Sequence, residues 1–93
     1  MPIQSFVCEE TKKLFTTGST AKFNSIERVA TRKLDLLDNA FDLCDLKSPP
    51  GNKLHPLERD RAGQHAIRIN DQYRICFRWT PAGPADVEIT DYH

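Results

Sequence analysis

The sequence lacks any long hydrophobic run. Its longest consecutive apolar stretches, at positions 6–8 and 75–77, are three residues each, whereas a membrane-spanning helix needs about 20. Charged residues from Glu9 onward also interrupt the N-terminus before the apolar part of a signal peptide could form. We therefore expect a soluble, cytoplasmic protein that makes no contact with a membrane.

Cysteine and glycine are also scarce. The three cysteines, Cys8, Cys44 and Cys76, have no C-x-x-C spacing, which argues against a disulfide framework and against a zinc knuckle. The four glycines form neither a phosphate-binding nor a dinucleotide-binding motif, and the motifs H-E-x-x-H and G-x-S-x-G are missing. The three histidines have no helical i, i+4 partner. We expect no metal and no cofactor.

The chain has no net charge, because 13 lysines and arginines balance 13 aspartates and glutamates. This balance argues against a strong overall attraction to nucleic acid. The charges are unevenly distributed, since positions 53–78 hold six cations and three anions, a net of +3. The length of 93 residues allows a single domain over residues 1–93, and one segment of that domain is basic.

The N-terminal half has the pattern of one strand and two helices. The short apolar segment 3–8 predicts a first strand, and a helix is expected from Glu9 to Phe15, ended by Gly18. A second helix is predicted to begin at Asn24, which together with Glu27 resembles a capping box. Its apolar positions recur every three or four residues and define one face: Ile26, Val29, Ala30, Leu34, Leu37 and Phe41.

The C-terminal half alternates apolar and polar residues after a proline-rich loop at 48–52. The alternation predicts strands near 66–69, 73–79 and 86–90. Helices followed by antiparallel strands predict an α+β fold, with two N-terminal helices packed on one face of a small twisted antiparallel sheet. The other face of that sheet is expected to be polar.

The register of the first two long strands follows from their apolar residues. If Ile69 lies opposite Tyr73 or Ile75, the apolar side chains share the buried face. The same register places Arg68 and Arg74 together on the polar face. A slip by one residue would bury the arginines instead.

The polar residues near this face have the chemistry that RNA cleavage requires. Cleavage needs a base for the 2′-hydroxyl proton, a cation for the charge on phosphorus and an acid for the departing oxygen. Histidine suits either proton transfer, arginine can donate two parallel hydrogen bonds to a phosphate, and a tyrosine ring can stack on a base. The candidates are His55, Arg68, Arg74, Asp91, Tyr92 and His93.

These residues also have an ordinary interpretation. A C-terminal histidine is most often solvated, and His55, which precedes a proline, could simply begin a strand. Arginines on a strand can cover a sheet with their long stems while the charge faces water. The residue types alone favour this solvated polar face over a cleavage site.

Five segments of the chain resemble a known family. They are K-L-H-P-L at 53–57, I-R-I-N-D-Q-Y-R-I at 67–75, D-Y-H at 91–93, I-Q-S-F at 3–6 and S-I-E-R-V-A at 25–30. Together they resemble the HigB toxins, which belong to the RelE/ParE-like toxins of bacterial toxin–antitoxin pairs. The resemblance covers nearly the whole chain, and its uncommon ending Asp91-Tyr92-His93 falls where this family has its catalytic end.

The resemblance implies a RelE-like fold and an activity. HigB toxins enter the decoding site of the ribosome and cut the messenger RNA there, as ribosome-dependent endoribonucleases, until an antitoxin sequesters them. The implied partners are the ribosome, its mRNA and a HigA-like helix-turn-helix antitoxin, with a toxin–antitoxin heterotetramer as one arrangement. No metal or cofactor is implied.

The resemblance also assigns roles by position. His93 and Tyr92 would transfer protons and position the substrate, with Asp91 beside them, and which group is base or acid is left open. Arg68 and Arg74 would hold the scissile phosphate, and His55 would support the site from the neighbouring strand. The basic segment adds further candidates for RNA contacts, namely Lys53, Arg59, Arg61 and Arg78.

One position departs from the family pattern. After His-Pro-Leu the family commonly has a lysine, whereas this chain has Glu58 followed by Arg59. A carboxylate where a cation would face RNA favours an alternative, a catalytically weak homologue that serves mainly as antitoxin partner in an autorepressor complex. A second alternative is a ParE-like inhibitor of DNA gyrase, which the terminal Asp91-Tyr92-His93 disfavours.

Overall fold

The computed structural model describes residues 1–91, so two predicted catalytic residues, Tyr92 and His93, lie outside the described residues. Two α-helices precede an antiparallel sheet in the part of the chain that is described. The elements are α1 (Glu9–Thr17), α2 (Glu27–Asn39), β1 (His55–Pro56), β2 (His65–Arg68), β3 (Tyr73–Thr80) and β4 (Gly83–Asp91). None of these helices is long and apolar enough to cross a membrane.

The sheet has the strand order β1-β2-β3-β4, and each neighbouring pair is antiparallel. Ile67, Ile75 and Ile89 lie opposite one another across three strands, and all three are buried. They form one core with Leu14 of α1 and Leu34 of α2. The helices therefore cover one face of the sheet, and the predicted α+β fold is confirmed.

The predicted first strand at 3–8 is only partly formed. Phe6 makes a single parallel bridge to Val87 of β4. Two backbone hydrogen bonds frame the bridge, from the Val7 amide to the Val87 carbonyl at 3.1 Å and from the Val87 amide to the Ser5 carbonyl at 3.0 Å. Because α1 begins at Glu9, the segment ends too soon to extend this ladder. It lies along β4 as an extended arm.

Helix α1 ends as predicted, with Gly18 as its C-cap, but the start of α2 differs from the prediction. Asn24 opens a short 3-10 turn (Asn24–Ile26) and does not cap α2, whose first residue is Glu27. The Glu27 carboxylate instead accepts hydrogen bonds from the Ser19 hydroxyl at 3.0 Å and the Thr20 amide at 3.2 Å. The predicted capping residue Glu27 thus fastens the α1–α2 connection, because its carboxylate faces back toward that turn.

The predicted apolar face of α2 is wrong at Val29, which is 36% exposed, and at its far end. The helix stops at Asn39, and Phe41 is 82% exposed. Asp42 and Asp45 form a capping box at the next 3-10 segment (Leu43–Lys47), and the Asp45 carboxylate accepts hydrogen bonds from the amides of Phe41 and Asp42. These bonds turn the chain away from the helix axis before Phe41 can reach the core.

A β-bulge interrupts the pairing of β3 with β4. Cys76 lies opposite Glu88 and Arg78 lies opposite Ala85, so a single residue of β3 faces two residues of β4. One of those two is Asp86, which has a positive φ of 53°. A bulge of this kind bends the strand and redirects a side chain. Here it aims the Asp86 carboxylate at Arg78.

Gly83 begins β4 under the N-terminal arm, and its backbone has a φ of 132°. A Cβ at this position would overlap the carbonyl oxygen of Pro2. We expect Gly83→Ala to lower the free energy of unfolding by about 1–3 kcal/mol for the backbone strain alone, and by more if the arm is displaced. Urea unfolding measures this difference.

The matched control is Gly51→Ala, because a Cβ at Gly51 would meet no atom within 4 Å. This variant should be within about 0.5 kcal/mol of the parent. Equal stability of the two variants would contradict the close packing of the N-terminal arm on β4.

Candidate functional site

The face of the sheet that points away from the helices carries three of the predicted catalytic residues. We call it the open face and define it by the register as Ala66, Arg68, Arg74, Cys76, Glu88 and Thr90. Ala66 and Cys76 are fully buried, and the other four are partly exposed. His55 of β1 lies opposite Ala66 and therefore belongs to the same face. Antiparallel neighbours that lie opposite each other point to the same side of a sheet. The structure thus brings His55, Arg68 and Arg74 onto one surface.

Arg68 and Arg74 lie directly opposite each other on β2 and β3. The connecting turn fixes this register, because Asn70 Oδ1 accepts hydrogen bonds from the amides of Gln72 and Tyr73, both at 2.8 Å. The predicted pairing is therefore confirmed. Two guanidinium groups in register repel each other, and an anion that binds between them removes that repulsion.

Each of the two arginines is held by a neighbouring oxygen. Arg68 Nη2 forms a salt bridge with the Asp71 carboxylate, which is fully exposed in the turn. Arg74 Nε donates to Thr90 Oγ1 at 3.3 Å, and the same hydroxyl contacts the buried Cys76 thiol at 3.3 Å. These contacts hold both guanidinium groups over the open face.

Two of the predicted RNA-contacting arginines are ion-paired within the fold. Arg61 Nη1 lies 2.7 Å from Glu88 Oε1, and this hydrogen bond raises the pKa of Arg61 against the opposing effect of burial. Arg78 Nε lies 3.5 Å from Asp86 Oδ2. The sequence indicated these arginines as candidates for RNA contacts but did not predict their carboxylate partners on β4. The bulge and the register that bring each pair together form only in the tertiary structure.

His55 is oriented by the backbone just before it. Its Nδ1 lies 2.7 Å from the Lys53 carbonyl oxygen. A carbonyl only accepts hydrogen bonds, so Nδ1 must carry the proton, and in the neutral ring Nε2 keeps its lone pair. The ring is partly buried. His55 therefore presents Nε2 as its available base.

Asp91 lies at the end of β4 opposite Tyr73, whereas its neighbour Thr90 lies opposite Arg74. Side chains alternate along a strand, so Asp91 projects toward the helix-covered side and not onto the open face. Gln72 Nε2 donates to Asp91 Oδ2 at 3.1 Å, which ties the end of β4 to the β2–β3 turn. The predicted catalytic role of Asp91 stays a prediction.

The remaining predicted residues lie on the connection around β1. Lys53 and Arg59 are exposed and have positive φ angles of 48° and 56°. Glu58, which departs from the family pattern, is also exposed, and its carbonyl oxygen accepts a hydrogen bond from the Arg61 amide at 3.1 Å. These three residues flank β1 in the chain, and their contacts with RNA stay predictions.

Lys33 and Asn52 were missed by the sequence analysis. Asn52 is fully buried, and its Oδ1 accepts a hydrogen bond from Lys33 Nζ of α2. Burial lowers the pKa of Lys33, and the nearby charges of Arg32 and Arg68 lower it further. The sequence predicts an amphipathic helix around Lys33 and a loop around Asn52, and no pattern in it indicates that the two are in contact.

Residues 1–91 contain no group of three or more histidine, cysteine, aspartate or glutamate side chains arranged to hold a metal ion. The open face instead combines a partly buried imidazole with two guanidinium groups in register. Guanidinium pairs bind phosphate bidentately, and an imidazole moves protons near neutral pH. The open face of this small α+β protein therefore has side chains chemically suited to contact a phosphate group.

Comparison with known proteins places this chain in a family. The HigB-like toxin model, described as the RelE-like toxin of the type II toxin-antitoxin system HigB, matches residues 4–93. The chain belongs to this family of toxins, and the resemblance inferred from its motifs is confirmed. Ribosome-dependent cleavage of mRNA is the kind of activity known for the family.

Two relatives match over shorter lengths. Toxin HigB-1 of Vibrio cholerae serotype O1 (strain ATCC 39315 / El Tor Inaba N16961) is 46% identical over 56 residues, which are 60% of this chain and 59% of that toxin. An uncharacterized protein of Haemophilus influenzae (strain ATCC 51907 / DSM 11121 / KW20 / Rd) is 36% identical over 56 residues, 60% of this chain and 55% of that protein. The matches span less than two thirds of either relative.

The salt bridge to Asp71 competes with any phosphate for Arg68. We expect Asp71→Asn to increase the affinity for short single-stranded RNA at low salt, because Arg68 then has one less competing anion. If one more phosphate contact forms, the plot of log affinity against log salt should steepen by about 0.7. Fluorescence anisotropy over a salt series measures both quantities.

The control is Asp35→Asn, which makes the same charge change at an exposed position of α2. It should raise the affinity only slightly and leave the slope unchanged. Equal effects of the two variants would mean that net charge, and not the release of Arg68, governs binding.

Proposed function

We propose that this protein is the toxin of a type II toxin–antitoxin pair and acts as a ribosome-dependent endoribonuclease. The observation that carries the proposal is the register that places Arg68 and Arg74 side by side on the face that also holds His55, in a chain of the HigB-like toxin family. Its substrate is mRNA in the decoding site of the ribosome. Its place of action is the cytoplasm, and its partner is a HigA-like antitoxin.

The proposed chemistry assigns one task to each kind of group. Arg68 and Arg74 bind the scissile phosphate and stabilise the charge that develops on its oxygens. A base removes the 2′-hydroxyl proton and an acid protonates the departing 5′-oxygen. His55 Nε2 is one candidate for the proton transfers, and Tyr92 and His93, with Asp91 next to them, are the others.

The charge balance of the protein explains why the ribosome should present the substrate. The chain has zero formal net charge, and Arg61, Arg68 and Arg78 already have carboxylate partners. Affinity for RNA in solution comes mainly from unneutralised cations that displace counterions. Weak binding to free RNA therefore follows, and the ribosome supplies the local concentration and the substrate geometry that the protein lacks.

A second function is favoured by the same carboxylates. Asp71, Asp86 and Glu88 pair with arginines that RNA would otherwise use, and Glu58 adds an exposed negative charge shortly after β1. These four acids fit a catalytically weak homologue that acts mainly as antitoxin partner in an autorepressor complex. The two proposals differ in whether the protein alone cuts mRNA.

Inducing the protein without an antitoxin tests the first function. We expect growth arrest and mRNA 5′ ends that fall in phase with codons, because the ribosome positions the message. His93→Ala should express to the same level and lower the cleavage rate by about 10²–10⁴, the range for loss of one proton-transfer group. Mapping of mRNA 5′ ends in both strains measures this.

The outcomes of that experiment separate the candidates. Growth arrest without mRNA cuts would favour a gyrase inhibitor, and neither arrest nor cuts would favour the weak homologue. Cuts of naked RNA as fast as of ribosome-bound message would contradict the ribosome-dependent mechanism.

Glu58 provides a prediction about the strength of the toxin. A negative charge roughly 6 Å from a phosphate, at an effective dielectric constant of about 20, costs at most about 3 kcal/mol before salt screening. Glu58→Lys replaces this repulsion with attraction, so we expect faster ribosome-dependent cleavage, by about 10-fold or less once salt screening is included. Cleavage rates on one message at two salt concentrations measure the gain.

Asp35→Lys on α2 is the control for the change in net charge. A gain confined to Glu58→Lys and larger at low salt supports a phosphate path beside residue 58. The account of this departure would be wrong if Glu58→Lys gave no gain and Arg59→Ala gave a large loss, because Arg59 would then supply the cation.

A further inference from the structure

Asn52 is a polar side chain with no exposure to solvent, three positions before His55. Each polar atom of its amide has a partner. Nδ2 donates to the carbonyl oxygens of Leu46 and Ser48, both at 3.1 Å, and Oδ1 accepts from Lys33 Nζ. A buried amide with all its hydrogen bonds satisfied holds the groups around it in one arrangement.

The backbone on both sides of Asn52 is fixed in the same way. The Asn52 amide donates to the Pro49 carbonyl at 2.9 Å, and the Lys53 amide donates to the Pro50 carbonyl at 3.2 Å. Lys53 then takes the left-handed conformation, with a φ of 48°. This conformation is uncommon for a residue with a side chain and persists where neighbouring contacts impose it.

The carbonyl of Lys53 is the group that accepts the Nδ1 proton of His55 at 2.7 Å. Lys53 directly follows Asn52, so the acceptor that sets the tautomer of His55 lies next to the buried anchor. One hydrogen bond thus joins Lys33 of α2 to the Asn52 side chain, and another joins the Lys53 carbonyl to the imidazole of β1. The covalent backbone from Asn52 to Lys53 connects the two.

The role of Lys33 in this arrangement is more specific than that of a surface lysine. It crosses from α2 to the loop before β1, and its ammonium group is close enough to Arg68 for the two charges to interact. Lys33 thereby joins α2 to the loop that holds His55 through a hydrogen bond, and its charge interacts with that of Arg68.

We propose that Asn52, anchored by Lys33, is a positioning residue that holds His55 in its Nδ1-protonated tautomer with Nε2 available on the open face. The inference rests on the proposed function, because it gives His55 a part in cleavage. Asn52 itself touches no substrate. Its contribution is to fix the Lys53 carbonyl, without which the ring would be free to adopt the Nε2-protonated tautomer that histidine favours in water.

The test measures the tautomer of His55 directly, independently of RNA cleavage. ¹⁵N NMR of the ring nitrogens distinguishes the two neutral forms, and His55→Gln assigns the signals. We expect the Nδ1-protonated form in the parent protein and a shift toward the Nε2-protonated form in Asn52→Leu. The single-turnover cleavage rate on ribosome-bound message should fall by about 10²-fold, the scale for misplacing a catalytic group, with ribosome affinity unchanged.

Leu37→Ala is the matched control, because it removes a buried side chain of α2 and none of these hydrogen bonds. It should lower stability without changing the tautomer. If Asn52→Leu does not fold, Lys33→Met and Lys33→Arg replace it. Lys33→Met should shift the tautomer partly, and Lys33→Arg, which keeps a donor for Asn52, should restore it.

Failure of this inference is distinguishable from failure of the proposed function. A folded Asn52→Leu protein that keeps the parent tautomer and the parent cleavage rate overturns the positioning role and leaves the endoribonuclease intact. A parent protein that cuts no mRNA overturns the proposed function. The His55 tautomer of the parent compared with that of Asn52→Leu still decides whether Asn52 orients the ring. An equal tautomer shift in Leu37→Ala would also overturn the inference, because general loosening would then explain it.

Discussion

The pairing of β2 with β3 is the constraint on which the rest of the structure depends. Ile67 lies opposite Ile75, and one residue further along Arg68 lies opposite Arg74. Because side chains alternate along strands, burial of the isoleucines under the helices forces the arginines onto the opposite face. The hydrophobic core therefore places the arginine pair, and no separate interaction is needed to bring the two guanidinium groups together.

Some of the arginines on and around the open face are paired with carboxylates of the fold. Three arginines have carboxylate partners in the fold, and each partner lies on a turn or on β4. These pairs are partly exposed, so their net contribution to stability is small. In the proposed function their larger effect is on binding, because an RNA phosphate would compete with each carboxylate. Such competition would favour a substrate that is presented in a fixed position.

The helices contribute to the site through the loop that precedes β1, although they pack on the opposite side of the sheet. Lys33 extends from α2 to Asn52, and the same loop supplies the carbonyl that orients His55. At the other edge of the sheet, the N-terminal arm pairs with β4 through a single bridge, and a bulge interrupts the pairing of β4 with β3. The same few elements therefore determine both the packing on the covered face and the geometry on the open face.

The sequence by itself determined the α+β architecture, the order of the helices and long strands and the shared face of Arg68 and Arg74, because hydrophobic periodicity and turn residues act locally. The structure then selected the register in which the two arginines lie directly opposite each other. Its motifs also identified the toxin family. Only the tertiary structure decided that Asn24 does not cap α2, that Phe41 leaves the core, and that Arg61 and Arg78 pair with Glu88 and Asp86. Those features depend on residues that are distant in sequence, on a bulge or on loop closure. A local sequence pattern does not predict which distant side chains come into contact when the chain folds.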